Sequence, residues 1–123
     1  MKKYCATVTG LGEEAMRLVE NDLCIIFNEN APPELAELSV LHTIEELKED
    51  VKAGDTIKLG GNTYSILQVG SEANHTLRTL GHCTMWLYNE SKKNQNCLPG
   101  YIVVDVKGVR PVFEVGQTIE IDG

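Results

Sequence analysis

A chain of 123 residues with 42% hydrophobic and 24% charged content is long enough to bury a core and short enough to be a single domain. Its net charge of −7 and pI near 4.9 argue against nucleic acid or anionic membrane as partner, since both recruit clustered Lys and Arg. No run approaches the ~18 apolar residues of a membrane span, and Thr7, Thr9, Gly10 and Glu13 break any signal core after Met1-Lys2-Lys3, so a cytoplasmic chain without membrane insertion is expected.

In chain order, short β-rich runs are predicted at Tyr4–Val8, Leu23–Phe27, Ser39–Ile44, Thr56–Leu59, Thr63–Val69, His82–Tyr88, Tyr101–Val106 and Thr118–Ile121. A helix over Gly12–Glu20 gathers Ala15, Met16, Leu18 and Val19 on one side. A second, over Glu72–Leu80, has Ser71 as N-cap and Gly81 as stop, and places Ala73, Leu77 and Leu80 on one face. His75 falls off that face and reads as a surface residue. Beyond the Lys2-Lys3 pair, the basic cluster is Lys92-Lys93, which is expected to lie in a polar loop.

Two stretches echo each other. Gly54, Thr56, Ile57 and Gly61 of the segment 51–61 recur as Gly116, Thr118, Ile119 and Gly123 of the segment 113–123. Met16-Arg17-Leu18 before one strand parallels Leu77-Arg78-Thr79 before another. Both halves then read strand, short helix, strand, strand, Gly turn, strand. The fold class expected is mainly β: a small closed β-barrel from two related strand-rich halves, with two short helices and no exposed sheet edge.

Cys5, Cys24, Cys83 and Cys97 form no CxxC pair and read as reduced thiols. Cys24 and Cys83 lie in apolar strands, while Cys97 is expected to be the most accessible. Gly60-Gly61-Asn62 and Gly10-Leu11-Gly12 lack the Gly-Lys-Ser/Thr that holds nucleotide phosphates, and no Ser sits in a G-x-S-x-G turn. A zinc site drawn from His42, His82, Cys83 and Cys97 has no recognisable spacing. Neither a metal nor a cofactor is expected.

His42 ends the apolar run Ser39-Val40-Leu41-His42, before the acidic Glu45-Glu46-Leu47-Lys48-Glu49-Asp50. A histidine so placed is either a hydrogen-bonded core residue or a nucleophile, proton shuttle or ligand. In the half-to-half register its place falls near Val103, Val104 and Asp105, so the scaffold does not require it. Without metal, nucleotide or triad, it suits covalent carriage of a phosphoryl group delivered by another protein. Val40, Leu41 and Ile44 are candidates for an apolar rim around it, and His82 for a second imidazole that steadies the phosphoryl anion.

Ala31-Pro32-Pro33-Glu34-Leu35, Val40-Leu41-His42 with Glu46-Leu47-Lys48, Gly54, Tyr64, Val69-Gly70, Leu77-Arg78, Leu80-Gly81-His82 and Pro99-Gly100 together resemble the glucitol/sorbitol-specific enzyme IIA component of the bacterial sugar phosphotransferase system. The resemblance covers nearly the whole chain as one domain, 1–123. It implies a phosphotransferase component whose His42 becomes a phosphohistidine through Nε2. The phosphocarrier protein HPr would supply the group, and a cysteine of the membrane complex's IIB component would receive it. It also implies a small closed barrel. Two other readings compete: a noncatalytic barrel that binds a protein partner or regulates it, and a thiol enzyme using Cys97 or Cys83.

Overall fold

Period-two alternation organises the strands. In Cys83–Tyr88 the residues Cys83, Met85 and Leu87 are buried while their neighbours are partly exposed, as a pleated strand requires when only one face meets a core. The computed structural model describes residues 1–88 and 97–123; Lys92-Lys93 lies outside the described residues. Among the described residues are eight strands: β1 (Lys2–Leu11), β2 (Leu23–Asn28), β3 (Val40–His42), β4 (Thr56–Leu59), β5 (Asn62–Val69), β6 (Cys83–Tyr88), β7 (Tyr101–Asp105) and β8 (Thr118–Asp122). Three short helices accompany them: α1 (Ala15–Glu20), α2 (Pro33–Ala36) and α3 (Ala73–Leu80).

The strands close into one barrel in the order β1-β3-β2-β6-β7-β5-β4-β8. Closure satisfies both edges of every strand, and inward side chains such as Tyr4, Ile26, Ile57, Ile66, Met85, Leu87, Ile102 and Ile121 fill the interior. Val40 belongs to this interior at 1% exposure, so it is core and not rim.

The two halves pair in the same way. β1 runs antiparallel to β3 and β3 parallel to β2; β5 runs antiparallel to β7 and β7 parallel to β6. β2 and β6 join the halves antiparallel across Cys24 and Met85. β4 and β8 lie side by side and close the other seam. Each long strand carries a register shift, between Val8 and Gly10 in β1 and between Ile66 and Gln68 in β5. The turn glycines match as well: Gly54 and Gly116 have φ of +96° and +100°, a region open mainly to glycine.

Several local expectations change. A third helix, α2, opens with Pro33 at its first turn, where a missing N–H costs nothing. The N-cap of α3 is Glu72 and not Ser71, and no side chain caps the helix. Leu80 is 46% exposed, because the buried face of α3 is carried by Ala73 and Leu77 alone. Gly81 does end α3, in the left-handed conformation. His75 is exposed.

Candidate functional site

β3 has only three residues, and its alternation turns Val40 and His42 inward with Leu41 between them half-buried. His42 is therefore the last inward residue of the strand. It stands opposite Val8 of β1 and beside Asn28 of β2. The Tyr4 ring meets the imidazole edge-on, with centroids 6.0 Å apart and planes at 90°.

The imidazole is 0% exposed, and both nitrogens face backbone carbonyls. Nδ1 lies 2.8 Å from the oxygen of Thr43 and Nε2 lies 2.8 Å from that of Gly81. Carbonyls only accept, so a neutral ring donates to one of them and turns a lone pair toward the other; only the doubly protonated ring donates to both. The two partners differ in kind. Thr43 is the next residue and travels with His42, whereas Gly81 caps a separate helix, its own N–H donating to the Leu77 oxygen at 3.0 Å.

Gly81 is fixed by space as well as by its φ of +61°. A Cβ there would stand 1.9 Å from Asn28 Oδ1, 2.5 Å from Asn28 Cγ and 2.8 Å from His42 Cε1. The Asn28 carboxamide, the Gly81 backbone and the His42 ring thus pack on one spot. Asn28 is 8% exposed and its Oδ1 has no hydrogen-bond partner, a condition that costs about 1–3 kcal/mol. The sequence reading missed Asn28. Its signal is parity: Cys24, Ile26 and Asn28 share the inward face of β2, and a carboxamide there demands a reason.

His82 follows Gly81, and its Nδ1 donates to the Ile26 oxygen at 3.2 Å while the ring packs on Phe27 with centroids 4.8 Å apart. The structure brings His82 beside the residue that touches His42, but no hydrogen bond joins the two rings. Around this end of the barrel Ile44 is 56% exposed. With Leu80 it supplies the apolar surface next to the two capping carbonyls; Leu41 contributes in part.

The cysteines stand apart from this chemistry. Burial pushes the Cys24 thiol up to about 12 and raises that of Cys83 further. Cys97 is half-buried, with its thiol raised by burial and its Sγ 3.5 Å from the Tyr101 oxygen. Cys5, on the outer face of β1, is the exposed one and displaces Cys97 as the most accessible. Among the described residues no three His, Cys, Asp or Glu converge as a metal site. No helix among them is long and apolar enough to cross a membrane.

A closed barrel of this topology is a class already seen in a solved structure. The crystal structure of a PTS system IIA component from Enterococcus faecalis V583 superposes with a TM-score of 0.85 at 26% identity, covering 98% of this chain and 100% of that one. The family model for the PTS system glucitol/sorbitol-specific IIA component matches residues 3–120. The chain belongs to that family. The PTS system glucitol/sorbitol-specific EIIA components of Escherichia coli (strain K12) and Shigella flexneri are each 37% identical to it over 82 residues, 67% of this chain and 67% of theirs.

Proposed function

We propose that this chain is a cytoplasmic phosphoryl carrier in glucitol/sorbitol uptake. It accepts phosphate from phospho-HPr on His42 and passes it to a cysteine of the IIB component. The observation that carries the reading is the environment of His42 in a chain of this family: Nδ1 lies 2.8 Å from the oxygen of its own neighbour Thr43, and in the tautomer that donates there the lone pair is on Nε2. Attack by Nε2 forms the new N–P bond while the Nδ1 proton stays in place, so the product ring is a cation facing the Thr43 oxygen. The Gly81 carbonyl must leave Nε2 for the phosphoryl group to reach it. Ile44 and Leu80 offer a partner its footing at that point. His82 keeps a part in this reading as a ring that steadies the phosphoryl oxygens once it turns from Ile26.

Incubation with phospho-HPr is expected to add one acid-labile phosphate, read by intact mass. His42→Ala should abolish it, and His82→Gln should slow it without abolishing it. Phosphate on the His42→Ala protein would sink the assignment.

One observation favours a second reading. Complete burial, with a carbonyl at each nitrogen, also suits a histidine that only ties β3 to the end of α3 in a noncatalytic, partner-binding barrel. That reading predicts no phosphate uptake and a large loss of stability in His42→Ala.

A further inference from the structure

We propose that Asn28 binds the phosphoryl group carried by His42, its Nδ2 donating to a phosphoryl oxygen. The inference rests on His42 being the phosphoryl acceptor. Three independent features place the carboxamide there. Parallel pairing sets Asn28 directly beside His42 across β2 and β3. Its side chain is more than nine-tenths buried and its Oδ1 is without a partner. Glycine at 81 alone lets this carboxamide approach the His42 ring, since a Cβ would strike both, at 1.9 Å from Oδ1 and 2.8 Å from Cε1.

In the observed state the Gly81 oxygen faces Nε2, 2.8 Å away, and the Asn28 oxygen lies against the Gly81 Cα, where a Cβ would meet both it and the His42 ring at Cε1. Two acceptor oxygens beside the ring repel a phosphate. Displacement of the Gly81 carbonyl and a half-turn of the carboxamide reverse this, because the amide oxygen and nitrogen occupy nearly equal volumes and only the nitrogen donates. The donor's N–P bond then breaks with its electron pair returning to the donor imidazole. The Nε2 lone pair forms the new N–P bond, and the Nδ1 proton remains on His42. Charge on the transferring group is spread over its equatorial oxygens, where a fixed N–H is most effective.

The test compares Asn28→Leu, which keeps size and removes the donor, with Asn28→Asp, which keeps shape and offers an anion. With phospho-HPr as donor and rapid quench, both are expected to accept phosphate more slowly than wild type, by about tenfold to a hundredfold, Asp more than Leu. Thermal midpoints should hold or rise in Asn28→Leu, because an unpaired polar group is gone. A rate within twofold of wild type in Asn28→Leu overturns the role of Asn28 while leaving His42 as acceptor. A wild-type protein that takes no phosphate overturns both. Should the variants fold poorly, the side-chain amide resonances of Asn28 in 15N-labelled wild type decide: they should shift and exchange more slowly on phosphorylation, and resonances that do not move exclude the contact.

Discussion

At the scale of single residues, burial sorts both the thiols and the imidazoles. Cys24 and Cys83 behave as small apolar residues, because burial raises both thiols and keeps them protonated at pH 8. Iodoacetamide at that pH should label Cys5 quickly and Cys97 slowly, and should reach Cys24 and Cys83 only after denaturation. Native-state mass spectra should therefore stop at two adducts and denatured spectra rise to four; rapid fourfold labelling of folded protein would contradict the burial. The choice of His42 over His75 was legible in the sequence, because apolar neighbours and helical geometry separate an inward ring from an outward one. What capped the ring was not. Gly81 lies 39 positions away along the chain, and no local pattern announces a carbonyl brought in by another element.

At the scale of elements, β8 illustrates how the barrel's outer face is tied together. It lies between β1 and β4, and its Glu120 accepts from Lys2 on one side, stands 3.7 Å from Lys58 on the other, and accepts from Thr118 Oγ1 at 2.5 Å. The hydrogen bond from Lys2, then that from Thr118, hold the carboxyl down at about 2. The folded value is below the ordinary carboxylate value of about 4.3. Its stabilisation is therefore present above that value and is lost as pH falls from about 4 through 2. Glu120→Gln should lower the urea midpoint between pH 6 and 8, where the ionised carboxylate contributes, and flatten its fall between about pH 4 and 2; an unchanged acid limb would show that Glu120 contributes nothing to it. The eight strands were readable from alternation and glycine punctuation, and α3 from its capping glycine. α2 was overlooked because four residues give no period, although Pro32-Pro33 held the start signal. Leu80 is the last residue of α3, beside the Gly81 cap, and the core contact of that turn is made by Leu77.

At the scale of the whole molecule, the repeat seen in the sequence becomes a repeat of pairing. Val8 opposite His42 corresponds to Ile66 opposite Val104, each beside its strand's register shift. Where the first half holds an imidazole, the second holds an aliphatic side chain at 0% exposure, so this place in the pairing does not by itself call for a histidine. The echo of glycines and β-branched residues made the duplication legible, but the parallel pairings of β2 with β3 and β6 with β7 were not, since each joins strands well separated along the chain. The amino group of Met1 donates to the Gly123 oxygen at 3.0 Å, and the Gly123 N–H returns a bond to Met1 at 2.8 Å. The backbone is thus one short splice away from a ring. Joined there by two or three glycines and reopened between Gly60 and Gly61, at the tip of the β4–β5 hairpin, the halves would be synthesised in the opposite order. The permuted protein should reach the same circular dichroism spectrum and the same phosphate stoichiometry on His42, and a chain that stays unfolded would show that the order of synthesis matters to assembly. For a barrel whose two ends already greet each other, first and second half are matters of translation, and only the imidazole remembers which is which.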